Sequence, residues 1–156
     1  MKLSILIILI LIVAASAVSQ TKSKSSETED VKYINRMRSE VQKAENSLND
    51  IEPLRRHSAP DIVLIPDGLP PVSGLENALN LMRQLWVIFE VKTEYHSEEV
   101  KITGDTAIDR GWAKEILKNK KTGEITENTA NYLWISRRNE NDVWKQTHVI
   151  WNKRSK

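Results

Sequence analysis

The stretch that decides the fold lies near the end of the chain and reads Val143-Trp144-Lys145-Gln146-Thr147-His148-Val149-Ile150-Trp151-Asn152. With the period of two that a β-strand has, Trp144, Gln146 and His148 fall on one face. A large aromatic, an amide and an imidazole in alternate positions are typical of the floor of a mostly apolar pocket with a few polar groups. A strand whose polar side chains face solvent, or are hydrogen-bonded in a core, gives the same pattern. We therefore expect a strand here, with a pocket floor as one of two interpretations.

Longer segments with a period of two precede this strand and are separated by short turns. The first contains Val91 and Ile102, the second runs from Thr106 to Lys118, and the third runs from Ile125 to Arg138. Short turns between long strands predict antiparallel neighbours. An earlier β-branched run, from Asp61 to Ile65, predicts one more strand.

Other segments have the period of a helix. Apolar residues recur in steps of three and four from Val31 to Ile51, which predicts an amphipathic helix of about six turns. Pro53 can open a short second helix, and the apolar face from Leu75 to Phe89 predicts a further helix that covers the sheet. Helices segregated onto one face of a curved antiparallel sheet make an α+β fold.

The beginning of the chain predicts export. A short positive start is followed by an apolar run from Leu3 to Val13 and then by small residues, which is the pattern of a secretory signal peptide. Cleavage could follow Ala17 or Ser19. The run is shorter than the roughly 20 residues that span a bilayer, so we expect a secreted or periplasmic protein with no stable membrane span after cleavage. The predicted organisation is a signal peptide over residues 1–19, a flexible linker over 20–29 and one domain over 30–156.

Composition excludes several classes of function. The 156 residues include 23 Lys+Arg and 21 Asp+Glu, for a net charge of +2. A balance so near zero predicts no basic surface for nucleic acid. The absence of cysteine excludes disulfides, thiolate metal sites and cysteine nucleophiles. The three histidines have no metal-ligand spacing, and phosphate-loop or metalloprotease motifs are missing, so we expect neither a metal nor a cofactor.

Four short motifs, in this order and spacing, carry a resemblance to a known family. They are residues 57–68, residues 70–78, residues 104–111, and Val143-Trp144-Lys145 together with Ile150-Trp151-Asn152. The sequence resembles the SnoaL-like and ketosteroid-isomerase-like branch of the nuclear transport factor 2-like superfamily, from about Val31 to Asn152. The resemblance implies the cone-shaped, cystatin-like fold, in which a curved antiparallel sheet wraps around a long N-terminal helix and a second covering helix. It also implies a pocket between helices and sheet, with Trp144, Gln146 and His148 facing inward.

The sequence departs from the family at the catalytic positions. Where ketosteroid isomerases carry a carboxylate base after the first strand, this chain has Pro66, with Asp67 one residue late. Tyr33 lies too far upstream to match the family's oxyanion tyrosine. Many relatives carry an acidic residue at the position of Val149 and a basic one at that of His148. Steroid isomerisation is therefore not expected.

His148 is the candidate general acid or base, because the pKa of a histidine lies near neutral pH. Asp109 is the candidate carboxylate that would hold its tautomer. The facing of that strand is open, since an inward Asp109 requires an outward Trp112, and the reverse. His57 near Asp61 is a second candidate pair, against the alternative that His57 caps a helix end. The candidate ligand-binding residues are Trp86, Trp112, Asn131, Trp144 and Gln146.

The pattern of aromatic residues predicts a homodimer. Tyr132 and Trp134 share one face of their strand, while Asn131, Leu133 and Ile135 share the other, so both sheet faces carry apolar mass. A sheet with two apolar faces needs a cover on each, and the predicted helices cover only one. We expect a second subunit on the outer face, with Tyr132 and Trp134 among the uncovered residues.

Two functions agree with these patterns. The first is an exported protein that binds a small apolar molecule in an apolar pocket and acts on it as a lyase or isomerase, for example a dehydratase, isomerase or cyclase. The alternative is a non-catalytic ligand-binding or protein-interaction module of the same fold. Binding without turnover would distinguish the second from the first.

Overall fold

The computed structural model describes residues 24–154. The predicted signal peptide lies outside the described residues, and the first helix begins at Lys24, inside the segment predicted as a linker. Within residues 24–154, no helix is both long and apolar enough to cross a membrane. The helices are α1 (Lys24–Ser47), α2 (Glu52–His57) and α3 (Leu75–Ile88). The strands are β1 (Ser58–Ile65), β2 (Val72–Ser73), β3 (Phe89–Thr103), β4 (Thr106–Asn119), β5 (Ile125–Arg138) and β6 (Trp144–Lys153).

The six strands form one mixed sheet in the order β2-β1-β6-β5-β4-β3. The strands β3 to β6 form the antiparallel meander that the short turns predict. β1 pairs with β2 in antiparallel fashion and with β6 in parallel fashion. The predicted α+β fold is confirmed, and the single parallel pair is the refinement that the structure adds. Turn lengths could not predict that pair, because most of the domain lies between β1 and β6.

Helix α1 packs its apolar stripe against the inner face of the sheet. Ile34, Met37, Val41 and Ala44 are all buried at the predicted helical spacing. The sheet contributes a layer of buried side chains to the same core: Val91, Ala107, Ala113, Tyr132, Trp134 and Trp144. Burial of each large apolar side chain contributes roughly 1.5–3 kcal/mol, so this interface holds the helix in place.

Two β-bulges interrupt the alternation of the long strands. On β3, Ser97 lies opposite Gly111 and Glu99 lies opposite Arg110, so Glu98 is the extra residue. Gly111 permits this bulge, because a Cβ at that position would lie 2.0 Å from the backbone oxygen of His96. On β6 the register shifts between the pairs that precede and follow Thr147. Because a bulge moves the following side chains to the opposite face, the second one decides which residues of β6 face inward.

Candidate functional site

A cavity of about 330 Å³ lies between the helices and the inner face of the sheet. Its size is within the range of small-molecule sites in proteins. Most of its wall is apolar. The apolar side chains come from all three helices and from β1, β3, β4, β5 and β6, and include Val41, Leu54, Ile62, Leu79, Met82, Leu85, Val91, Leu117, Trp134, Val149 and Trp151.

Glu45 of α1 is the main polar group of the cavity wall. Its residue is only 9% exposed, and the hydroxyl of Tyr95 on β3 lies 3.0 Å from each of its carboxyl oxygens. Burial, with a smaller contribution from the nearby Glu115 carboxyl, raises the pKa of Glu45 to about 8, while the hydrogen bond from Tyr95 acts in the opposite direction. A group with a pKa near neutral can both give and accept a proton at working pH.

Tyr95 holds the Glu45 carboxyl in position. Burial and the neighbouring carboxyl of Glu45 raise the pKa of Tyr95 well above its ordinary value, so the hydroxyl stays protonated and available as a donor. Its ring packs edge-on against Tyr132 and Trp134, at centroid distances of 5.3 and 4.9 Å. The packing fixes the ring, and with it the direction of the hydroxyl group.

Glu115 and Gln146 are among the other polar side chains of the cavity lining. Glu115 of β4 has a pKa raised by burial, and Asn128 Nδ2 lies 3.5 Å from its carboxylate. Gln146 of β6 is buried, and its Nε2 has no hydrogen-bond partner among the described residues. An unpaired buried amide costs free energy unless a ligand or an ordered water meets it. Trp134, which also lines the cavity, has an unpaired Nε1–H, so the described lining offers two unused donor groups.

The structure does not bring His148 and Asp109 together. The bulge at Thr147 leaves Gln146 facing inward but turns His148 to the outer face, where it lies opposite Ile135. Asp109 faces inward and is buried, and it accepts hydrogen bonds from Arg38, Ser97 and Tyr132 at 2.5, 2.7 and 3.1 Å. The expectation that His148 shares a face with Gln146 is corrected here, because it assumed an unbroken alternation along β6. The catalytic role that the sequence predicts for His148 and Asp109 stays a prediction.

Of the five candidate ligand-binding residues, Gln146 alone lines the cavity. Trp86 is buried and donates its Nε1–H to the Glu45 carbonyl oxygen at 3.1 Å. Trp144 is buried, donates to Asp30 at 3.3 Å and lies under the Arg138 guanidinium. Trp112 lies on the outer face, stacked on His96 at 3.8 Å, and its register partner Asn131 is exposed. The open parity of β4 is thus settled with Asp109 inward and Trp112 outward.

His57 does not pair with Asp61. Its buried ring places Nε2 2.7 Å from Glu40 Oε2 on α1, and Asp61 is exposed. Burial lowers the pKa of His57, while the bond to Glu40 acts in the opposite direction. This contact ties α2 to α1 and lies outside the cavity lining.

Glu45 is not among the residues predicted from sequence, although its spacing in the chain contains a signal. Glu45 follows Val41 by four residues and therefore continues the buried stripe of α1. A carboxylate on the apolar stripe of a helix is unusual, since such groups are rarely buried without a partner. The bulge of β6 also has a signal in the sequence. The large apolar residue before Thr147, Trp144, has an even number, whereas Val149 and Trp151 after it have odd numbers, as expected when one residue is inserted between them.

Among residues 24–154, no group of three or more His, Asp or Glu side chains is arranged to hold a metal ion. The polar groups of the cavity are instead spread over α1, β3, β4 and β6. Their arrangement suits hydrogen bonding and proton transfer to an organic molecule.

The fold of this chain is shared with solved structures. A ketosteroid isomerase-like protein from Erwinia carotovora atroseptica matches 82% of this chain and 98% of its own, with a TM-score of 0.73 and 21% identity. A nuclear transport factor 2-like superfamily protein from Salmonella enterica matches 86% of this chain and 95% of its own, with a TM-score of 0.71 and 13% identity. The chain has the nuclear transport factor 2-like fold. The resemblance inferred from the four motifs is confirmed at this level.

A third structure with this fold is a hexachlorocyclohexane dehydrochlorinase (LinA) type 2, which matches 85% of this chain and 90% of its own, with a TM-score of 0.76 and 16% identity. No protein-family model and no curated protein matches the sequence. At these identities the likeness concerns the fold, which hosts several kinds of reaction, so function must be argued from the cavity.

Proposed function

We propose that this protein binds a small, mostly apolar molecule in the cavity and catalyses a proton transfer on it, as a lyase or isomerase. The observation that carries the proposal is the Glu45 carboxyl, which lines an apolar cavity, has a pKa of about 8 and is oriented by the Tyr95 hydroxyl. An acid–base group works best when its pKa lies near the working pH. Glu45 meets this condition mainly through burial.

Neighbours with the same fold support this class of reaction. Their names include a ketosteroid isomerase-like protein, a putative dehydratase and a dehydrochlorinase. Isomerisation and elimination share one step, the removal of a proton from a carbon atom. A buried carboxylate can take that proton, and the Tyr95 hydroxyl that donates to Glu45 keeps the carboxyl in position for it.

The experiment is a search for binders followed by an exchange assay. Small apolar carbonyl compounds are screened by thermal shift, and each binder is then followed by NMR in deuterated water for exchange of its acidic C–H. The exchange rate should rise with pH up to about 8, as Glu45 ionises. Glu45→Gln should slow exchange by roughly 10²- to 10⁴-fold while binding persists. Exchange that is unchanged in this variant would refute the role of Glu45.

A matched control variant lies on the same helix. Glu29→Gln removes an exposed carboxylate that pairs with Lys32, far along α1 from the cavity. This variant should bind and exchange like the parent protein. Equal losses in both variants would indicate a general effect of charge on the helix rather than chemistry at Glu45.

A non-catalytic binding module is the second candidate function. The observation in its favour concerns Asp109, the inward carboxylate of β4 that the sequence predicts as a catalytic residue. Asp109 accepts hydrogen bonds from three donors of the protein itself. These contacts occupy both of its oxygens within the fold. Binding without exchange at any pH between 6 and 9 would favour this module.

We also propose a homodimer through the outer face of the sheet. Tyr132 and Trp134, which the sequence placed among uncovered residues, are instead buried on the inner face. The outer face has its own apolar band, in which Ile108 lies opposite Ile135 and Leu133 lies opposite Ile150. Apolar patches of this kind usually mark an interface. Sedimentation at about 50 μM, well above typical dimer constants, should give a dimer, and a monomer there would refute it.

Export is proposed on the pattern of residues 1–19 alone. A protein expressed with its own N-terminus in a secreting host should appear outside the cytoplasm in a shortened form, cut after Ala17 or Ser19. Mass spectrometry of the exported chain measures the cut. An intact chain retained in the cytoplasm would contradict the proposal.

A further inference from the structure

Three charged residues of α1 face the sheet, and they differ in how their charge is balanced. Asp30, Arg38 and Glu45 follow one another at about two helical turns, and all three are largely buried. Asp30 forms an ion pair with Arg138, and Arg38 forms one with Asp109. Each of these two charges therefore has an opposite charge from the sheet.

Glu45 has no such partner among the described residues. The groups that act on it are Thr93 and Tyr95 from β3 and Glu115 from β4. Two of them are neutral donors, and the third is a second carboxyl. Burying a carboxylate without a counter-charge costs several kcal/mol in general, so an empty cavity keeps Glu45 protonated.

The whole cavity lining shares this imbalance. It contains the carboxyl groups of Glu45, Asp67 and Glu115, and among its described residues there is no lysine, arginine or histidine. Aromatic faces lie beside the carboxyls, since Tyr95, Tyr132, Trp134 and Trp151 line the same space. Carboxylates and aromatic faces are the two kinds of group that attract an organic cation.

The unpaired amide of Gln146 is a further observation that suits a ligand in this space. Gln146 is 3% exposed and lines the cavity, and its Nε2 has no partner among the described residues. It lies at a different end of the lining from Glu115, because their partners on β5 are Ser136 and Asn128. The cavity therefore has acid groups at one end and a free amide donor at the other.

We propose that the molecule bound in this cavity is a small hydrophobic amine, whose ammonium group pairs with Glu45 and Glu115 and whose apolar body packs on the aromatic wall. This inference rests on the proposed function, since it names the chemical class of the ligand of that same site. The ammonium replaces the counter-charge that Arg138 and Asp109 supply to the other inward charges of α1. It also gives Glu45 the ionised form that a general base needs.

Binding of the amine has a proton balance that can be measured. In the free protein near pH 7 the Glu45 carboxyl is mostly protonated, since its pKa is about 8. A protonated amine that pairs with the carboxylate displaces that proton, which passes to the buffer. Calorimetry in two buffers of different ionisation heat should therefore give a release of about one proton per amine bound.

The test compares matched compounds in the mature protein. Cyclohexylamine and 2-phenylethylamine are measured against cyclohexanol and 2-phenylethanol, which replace the ammonium by a neutral hydroxyl of similar size. Ammonium chloride serves as a charge without an apolar body. At pH 7 the amines should bind at least about ten-fold tighter than the alcohols, a difference of about 1.4 kcal/mol, and ammonium chloride should not compete.

Variants of the cavity carboxyls test whether the preference for amines arises at Glu45 and Glu115. Glu45→Gln should remove the proton release and most of the preference for amines, and Glu115→Gln should reduce that preference. Glu29→Gln, exposed on the same helix, should retain both. Alcohols that bind as tightly as the amines, or a preference that survives in the double variant of Glu45 and Glu115, would overturn the inference.

Failure of this inference is distinguishable from failure of the proposed function. If neutral compounds bind in the cavity and undergo proton exchange while amines have no advantage, only the amine is refuted. If compounds of neither charge bind, the proposed function falls with it. Chemical-shift changes at Gln146 and Tyr95 on titration identify the cavity as the place of binding.

Discussion

Replacing Glu45 by glutamine is expected to flatten the dependence of folding stability on pH. The pKa of Glu45 is about 8 in the folded protein and near 4.5 when the side chain is in water. Between these two values the folded state holds a proton that the unfolded state has released. Raising the pH through this window therefore favours unfolding. The stabilising contribution of Glu45 protonation is complete only below about pH 4.5 and is lost as the pH rises to about 8.

The magnitude follows from the width of the window. Each pH unit between the two pKa values changes the free energy of unfolding by about 1.4 kcal/mol, so the whole window amounts to roughly 5 kcal/mol. A domain of this size is stable by only about 5–15 kcal/mol. The effect is therefore large enough to measure, and the protein should be markedly less stable at pH 9 than at pH 5.

The assay is urea unfolding of parent and variant at each pH unit from 5 to 9. Glu45→Gln should be close to the parent at pH 5 and more stable than the parent at pH 8 and above. Titrating groups that do not interact with Glu45 act equally on both proteins. His57, whose lowered pKa makes stability rise as pH rises through its ordinary range, therefore cancels in the difference. Glu115 interacts with Glu45, so its contribution belongs to the measured difference.

Parallel stability curves for the two proteins would refute the reasoning, because they would mean that Glu45 titrates alike in the folded and unfolded states. Glu29→Gln provides the matched control, since it removes a carboxylate that is 71% exposed on the same helix. Its curve should follow that of the parent. The carboxyl carbon resonance of Glu45, followed by NMR, measures the pKa directly.

Three further variants test the fold and the site. Asp109→Asn should lower the free energy of unfolding by roughly 3–5 kcal/mol, because it leaves Arg38 largely buried without a counter-charge; a loss under about 1 kcal/mol would contradict a structural ion pair. Gly111→Ala should destabilise by roughly 1–3 kcal/mol or more in urea unfolding, because the new Cβ would overlap the His96 backbone oxygen; a neutral result would disprove the bulge. Gln146→Leu should leave the empty protein equally or more stable, since its amide is unpaired. The same variant should weaken ligand binding in calorimetry, and unchanged affinity would remove Gln146 from the site.

The fold could be predicted from sequence because its signals are local. The apolar stripe of α1 and the alternation of β3, β4 and β5 reflect the periods of helix and strand. Short turns then order the meander. The parallel pairing of β1 with β6 has no local signal, since it depends on how distant parts of the chain close together.

The candidate site was less predictable, because its geometry depends on one inserted residue. Alternation places His148 with Gln146, but the extra residue Thr147 reverses every side chain that follows. Val149 and Trp151 then line the cavity in place of His148. Strand periodicity is exact only between bulges, so a site inferred from a strand is secure only as far as the next irregularity.

Charge on the buried stripe of a helix has a physical meaning that the sequence can reveal only in part. The positions of Asp30, Arg38 and Glu45 on the stripe of α1 can be read from spacing, because each lies a whole number of turns from the others within a fraction of a residue. Their ion-pair partners cannot be predicted from spacing, since Arg138 and Asp109 lie on strands about 70 to 110 residues away in the chain. Once the sheet supplies those partners, Glu45 is the inward charge of α1 that the described residues leave unbalanced. A buried carboxyl that the fold does not neutralise has its protonation set by whatever enters the cavity, and in the proposed function this dependence couples binding to proton transfer.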